Sequence, residues 1–231
     1  GGAGGSVWVT TRLLRGSGGS ISAQGGDASS EYRPGGGGGR VALYCTTSQF
    51  SGTWSGFTAM PSITVHGGDI HSSTVARRRG GSGTAYVDCD AVSKTLVLHN
   101  EASGHEAKTT PLADAEPSYV FDYLRLYNGA GVSFVPADVG LGSISVTVGE
   151  FGGDATSTLT AEKDVTLTVP AMPNVSLSVS SGGELVMPAY LLVAGVTLTV
   201  AGKLSGVQNL TVVDGGVLDV SGDLADVRNV T

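Results

Sequence analysis

The chain repeats itself. Gly202-Lys-Leu-Ser-Gly-Val-Gln-Asn-Leu-Thr211 aligns with Gly222-Asp-Leu-Ala-Asp-Val-Arg-Asn-Val-Thr231 at an offset of 20 residues. A second pattern occurs three times: Leu124-Arg-Leu-Tyr-Asn-Gly-Ala-Gly-Val-Ser-Phe134, Leu177-Ser-Val-Ser-Ser-Gly-Gly-Glu-Leu-Val-Met187 and Leu210-Thr-Val-Val-Asp-Gly-Gly-Val-Leu-Asp-Val220. Each copy alternates apolar and polar residues on both sides of a small polar residue and a glycine pair, which predicts two short strands joined by a tight corner. Val165-Thr-Leu-Thr-Val169 also returns as Val196-Thr-Leu-Thr-Val200. One such turn cannot bury its own inward side chains, so turns must stack, and a period near 20 residues predicts a parallel β-helix, or β-solenoid, with one repeat per coil. Stacking also satisfies the backbone along the ladder.

The N-terminal half repeats with longer coils. Ile21-Ser-Ala-Gln-Gly-Gly-Asp27 aligns with Ile63-Thr-Val-His-Gly-Gly-Asp69 at an offset of 42, and residues 38–45 align with 82–89 at 44. The polar stretches 29–39 and 72–83 between them read as loops projecting from one edge. Three parts are expected: glycine-rich coils with long inserts over 1–100, a loop or linker over 101–118, and coils of about 20 residues over 119–231 that continue beyond this fragment.

Composition fits an all-β chain and excludes several alternatives. Glycine supplies 37 of 231 residues, yet it keeps no three-residue period through the chain, unlike collagen. Charged residues are 14% and apolar ones 40%, the reverse of a disordered chain. A net charge of −7 disfavours nucleic acid as a partner. No apolar run is long enough to span a bilayer; the longest, Val186–Val196, contains Pro188.

The segments Gly-Gly-Ser-Val-Trp-Val (4–9), Ile-Ser-Ala-Gln-Gly-Gly-Asp (21–27), the glycine run into Arg-Val-Ala-Leu-Tyr (35–44), Gly-Ser-Gly-Thr-Ala-Tyr-Val (81–87) and Leu-Val-Leu-His-Asn (96–100) resemble a recurring module of very large secreted surface and adhesin-like proteins of protists, algae and bacteria. The resemblance implies a right-handed parallel β-helix, an extracellular or cell-surface location, and assembly with other segments or copies of the same protein. Algal ciliary surface and mastigoneme glycoproteins are one such setting. It carries no catalytic residue set and no cofactor.

Cys45 and Cys89 occupy equivalent positions of two aligned coils. They read either as a disulfide between neighbouring coils or as two buried thiols stacked in the core. Three N-glycosylation sequons begin at Asn174, Asn209 and Asn229. Asn209 and Asn229 recur at the 20-residue offset, so a hydrogen-bonded asparagine ladder competes there with a glycan, whereas Asn174 follows Pro173 in an expected turn. Asp27 and Asp69 also align; two carboxylates are too few for a calcium ladder, and turn capping is the expected role. No metal site is expected.

β-Helices include enzymes that cleave acidic polysaccharides, which need clustered carboxylates or a carboxylate-held cation beside a base. The nearest constellation is His66, Asp69, His71, Arg77–Arg79, Asp88 and Asp90, and it reads better as loop decoration. Trp8, Tyr44, Trp54 and Tyr86 form a candidate aromatic face for sugar stacking, or else pack as core. The expected function is thus non-catalytic and structural, a rigid shaft or coat element of a large extracellular glycoprotein. Adhesion or carbohydrate binding through the loops is the alternative, with polysaccharide cleavage third.

Overall fold

The computed structural model describes residues 1–29, 34–55, 57–58, 60–69, 80–90, 92–100, 108–114, 117–136 and 142–231. Among them there is no helix: the chain is all-β. It divides into two compact units, Gly1–Lys108 with Tyr127–Ala130, and Thr109–Leu126 with Gly131–Thr231.

In the second unit the strands are β9 (Lys108–Asp114), β10 (Ser118–Tyr127), β11 (Ala130–Pro136), β12 (Ile144–Gly153), β13 (Thr158–Ala161), β14 (Val165–Thr168), β15 (Ser176–Val179), β16 (Glu184–Val186), β17 (Tyr190–Ala194), β18 (Thr197–Val200), β19 (Lys203–Ser205), β20 (Asn209–Val213), β21 (Val217–Val220), β22 (Asp223–Leu224) and β23 (Asn229–Val230). They form three ladders whose orders are β10-β12-β14-β16-β19-β22, β9-β11-β13-β15-β18-β21 and β17-β20-β23. From β10 through β22, from β11 through β21 and from β17 through β23 the pairings are parallel. Each strand therefore lies on the strand one repeat earlier rather than on its neighbour in sequence.

Register follows from side-chain alternation. Leu159 lies on Leu177, Leu177 on Leu198 and Leu198 on Leu218, steps of 18, 21 and 20 residues. Leu159, Leu177 and Leu198 are almost wholly buried, each stabilising the fold by about 1.5–3 kcal/mol. A slip of one residue would turn the whole column outward, which pins the pairing. Gly183, Gly202 and Gly222 also stack; a Cβ at Gly222 would collide with the carbonyl of Gly202, and one at Gly202 with that of Gly183. Only glycine permits this approach of backbone to backbone.

The column structure corrects one alignment. Leu177 stacks on Leu198, and Leu210 stacks on Leu191, so the two copies of the strand–glycine–strand pattern occupy different corners of the repeat. Within residues 101–118, which read as loop or linker from sequence, Lys108–Asp114 is a strand. It lies at the edge of its ladder, the place where a sheet tolerates a proline such as Pro111.

The first unit contains β1 (Ser6–Ser17), β2 (Ser20–Ser22), β3 (Arg40–Ser51), β4 (Thr53–Trp54), β5 (Phe57–Thr58), β6 (Ser62–Thr64), β7 (Thr84–Cys89) and β8 (Val92–His99). β1, β3 and β7 pair in parallel, with Val41 on Val7 and Ala85 on Val41, and Ile63 lies on Ile21 in the β2–β6 pair. The second and third of these registers are the 44- and 42-residue offsets of the sequence, whereas β1 lies on β3 at an offset of 34. β8 departs from the expected parallel order and runs antiparallel to β7. Only Asp90 and residue 91 separate the two strands, and so short a connection can join antiparallel strands alone. Val41, Leu43, Val65, Ala85, Val87 and Val97 form the core.

Five stretches of this unit, 1–5, 23–28, 35–39, 65–69 and 80–83, lie outside any strand ladder. They bond to one another instead. Gly36 and Gly39 donate to the carbonyls of Gly26 and Ala23 at 2.9 and 2.7 Å, Gly80 and Gly83 to Gly68 and Val65 at 3.0 and 2.7 Å, and Gly25 and Ala28 to His66 and Asp69 at 2.9 and 2.8 Å. Between Gly36 and Gly39, the Gly37 carbonyl accepts from Gly4 at 2.8 Å and Gly38 donates to Gly81 at 2.9 Å. A chain that meets the same neighbour every third residue turns with the period of polyproline II, not the period of two of a strand. The result is a bundle of extended glycine segments held by lateral backbone bonds. At its centre a Cβ on Gly36 would collide with the Gly2 carbonyl, and one on Gly80 with that of Gly36. The stretches 35–39 and 80–83 are therefore bonded into this bundle, with Gly36, Gly39, Gly80, Ser82 and Gly83 buried, and are not projecting loops, while residues 30–33 and 70–79 of the two inserts lie outside the described residues.

On the outer face of the second unit, Glu184 accepts from Ser205 Oγ at 2.7 Å and pairs with Lys203 Nζ at 2.9 Å, both from the next repeat. The Ser205 hydrogen bond first, and Lys203 second, hold the Glu184 carboxyl below its ordinary value of 4.5. Its contribution to stability is thus complete above that value and is lost as pH falls through the lower folded-state value. Thermal midpoints measured on acidification below pH 4.5 should fall less for Glu184→Gln than for the parent chain. The difference should be small, because exposed pairs are screened by solvent.

Candidate functional site

Cys45 at the middle of β3 and Cys89 at the end of β7 share one register column and are joined as a disulfide, with Cα atoms 4.6 Å apart. Parallel strand spacing alone brings two cysteines in one column within bonding range. Of the two readings of these residues, the structure has the bond and not a pair of free thiols. An intramolecular disulfide is compatible with an extracellular protein, and no helix among the described residues is long and apolar enough to cross a membrane.

The sequon asparagines lie in the second unit. Asn229 Nδ2 donates to Asn209 Oδ1 at 2.7 Å, and the hydroxyls of Thr211 and Thr231 meet at 3.1 Å in the next outward column. These two sequons are therefore stacked in register, and the amide ladder is formed. Asn229 is exposed and Asn209 half-buried. Asn174 is exposed in the bend that leads into β15, after the buried Pro173.

A cleft of about 400 Å³ in the first unit is lined by Trp54, Ser62, Thr64, His66, His99 and Asn128, among others. His66 Nδ1 contacts the Gly67 carbonyl at 3.0 Å, and His99 Nε2 contacts Asn128 Nδ2 at 3.2 Å. Asn128 takes the left-handed φ of 59° that asparagine tolerates, and it exchanges side-chain-to-backbone bonds with Asn100. Among the described residues no carboxylate lines this cleft. Of the constellation read from sequence, Asp90 accepts from the Ser48 N–H at 2.7 Å, Asp69 donates its N–H to Asp27 Oδ1 at 2.8 Å, and Asp88 lies on the outer face of β7. His71 and Arg77–Arg79 lie outside the described residues. Among the described residues no group of three or more His, Cys, Asp or Glu converges as a metal site.

The aromatic residues divide. Trp54 is buried in the core, 8% exposed, and its Nε1 donates to the Ile63 carbonyl at 2.9 Å, so it is not part of a sugar-facing surface. Trp8, Tyr44 and Tyr86 do come together on the outward face of β1, β3 and β7. Tyr44 lies 5.0 Å from Trp8 and 5.6 Å from Tyr86 between ring centroids. Alternation explains this: Val7, Val9, Val41, Leu43, Ala85 and Val87 turn inward, which leaves the residues between them outward. Trp8 is 71% exposed, and its Nε1 donates to Thr10 Oγ1 at 3.1 Å. Burial, and then the neighbouring Asp88 carboxylate, hold the Tyr44 hydroxyl above its ordinary value, so it stays a protonated donor. Sequence reading missed the glycine bundle that carries β1 and β3 into this arrangement.

No protein-family model, curated protein or solved structure matches the chain.

Replacing both Cys45 and Cys89 by Ser releases a link spanning 44 residues, and the chain-entropy account sets the cost at about 4 kcal/mol. Unfolding free energies extrapolated from urea titrations of the oxidised parent and the double variant should differ by that order, and addition of reductant should abolish the difference.

Proposed function

We propose that this chain is a segment of a right-handed parallel β-solenoid within a large extracellular glycoprotein, serving as a rigid structural element of a shaft or surface coat. The observation that carries the reading is the in-register stacking of successive repeats, with Leu177, Leu198 and Leu218 in one column and Lys203 on Glu184 in another. Parallel strands joined by a return path take the right-handed course in nearly every known sheet. A stack in which each repeat bonds to the one before it resists bending and transmits load along the ladder direction. The low charge of 14% and the outward rows of Ser and Thr suit lateral packing against like surfaces.

Two further observations support the extracellular part of the reading. The Cys45–Cys89 disulfide ties two repeats, as oxidising compartments permit. Asn174 and Asn229 are exposed where a glycosyl transfer enzyme can reach them. The resemblance to surface and adhesin-like modules points the same way. This segment acts without catalysis, and its partners are other segments or copies of the same protein.

Secretion from an N-glycosylating host, followed by non-reducing peptide mass spectrometry, tests the reading. Glycan on Asn174 together with a linked Cys45–Cys89 peptide is the expected result, with Asn209 less occupied than Asn229 because it is more covered. Bare asparagines at all three sequons with free thiols would overturn the extracellular glycoprotein.

A further inference from the structure

The outward face of β1, β3 and β7 is a grid of nine positions fixed by register. Its rows across the strands are Ser6, Arg40 and Thr84; Trp8, Ala42 and Tyr86; and Thr10, Tyr44 and Asp88. The Tyr44 ring, from the row after Trp8, Ala42 and Tyr86, lies 5.0 Å from the Trp8 ring and 5.6 Å from the Tyr86 ring, so the three rings form one continuous strip across the strands. We propose that this strip is a binding platform for an extended, uncharged polysaccharide, with Trp8 as its principal contact.

Three features point to that chemistry. The strip is linear and shallow, so it suits a polymer that presents a flat apolar face at each successive unit and does not suit a single small molecule held in a pocket. The apolar C–H face of a pyranose stacks on an aromatic ring, and its equatorial hydroxyls need donors and acceptors at the ring edge. Thr10, Asp88 and Arg40 stand at that edge in the grid, and the Tyr44 and Tyr86 hydroxyls belong to the strip itself. The Trp8 indole is already oriented by its bond to Thr10, so little side-chain freedom is lost on binding. Charge then selects among polymers. On the face itself Asp88 offsets Arg40, so no excess of cations is present to draw a polyanion, and the net charge of −7 disfavours nucleic acid and acidic polysaccharides, the other ligands that stack on aromatic strips. The platform uses the strand face and so is distinct from adhesion through the loops. It goes beyond the architectural role proposed above and does not depend on it.

The chain has two tryptophans, and they make the test internal: Trp8 is exposed and Trp54 buried. Titrating the chain with cellohexaose and xylohexaose, and with polygalacturonate as the anionic comparator, should quench or blue-shift the Trp8 emission with the neutral oligosaccharides alone. Trp8→Phe, which leaves Trp54 as the reporter, should abolish the signal, and calorimetry should show binding weakened at least about tenfold by Trp8→Ala and by Tyr44→Ala. Unchanged circular dichroism and melting of both variants would tie the loss to the face and not to folding. Three results would each overturn the proposal: no response to either neutral oligosaccharide, equal affinity in Trp8→Ala, or concentration-dependent self-association of the parent that Trp8→Ala removes without any effect of sugar. None of them would bear on the glycans or disulfide that test the structural role.

Discussion

Backbone bonded to backbone, one repeat against the next, is the constraint on which both units depend. In the second unit the bonds run along parallel ladders, Leu177 on Leu198 on Leu218. In the first they run along ladders and also through the glycine bundle, where Gly36 bonds to Gly26 and accepts from Gly68. Both devices satisfy the same requirement, that buried N–H and C=O groups find partners. They differ in what they leave to side chains. A ladder strand gives alternate residues to the core, whereas the glycine segments give only a few, such as Ala23 and Val65, and pack mainly by close approach of backbone to backbone.

This division decides where chemistry can sit. Inward positions are filled by Val, Leu and Ala, and lateral directions are used by backbone bonds, so the outward positions of strands carry whatever the surface does. There the chain places three unlike sets: Trp8, Tyr44 and Tyr86 packed across two neighbouring rows of the first unit, and in the second unit Glu184 with Ser205 and Lys203, and Asn209 with Asn229 beside Thr211 with Thr231. Stacking turns one residue choice per repeat into a column and so builds an extended surface.

Much of this was legible in the sequence. The offsets of 42, 44 and 20 are the observed registers Ile21–Ile63, Cys45–Cys89 and Asn209–Asn229, because a column, inward or outward, places like residues at like positions. The phase of the three-fold pattern was not legible. Leu177 and Leu210 sit in the same local motif but on different ladders, since every corner of a repeat asks for the same apolar–glycine–apolar run. The glycine bundle was hidden for a different reason. Its three-residue period lives in backbone bonds such as Gly36–Gly26 and Gly39–Ala23, and glycine has no side chain in which a period could show. Of the four aromatics proposed as a face, Trp54 could not be separated from Trp8 because burial depends on which strand covers it.

Register is the central claim, and directed cross-linking measures it most directly. Ser178 lies opposite Thr199 on the outward side of β15 and β18, the same relation that joins Cys45 to Cys89. Under mild oxidation, Ser178→Cys with Thr199→Cys should yield an intramolecular linked peptide by mass spectrometry, while Ser178→Cys with Thr197→Cys should yield none above background. Preferential linking of the second pair, or of neither, would contradict the stacked-repeat account.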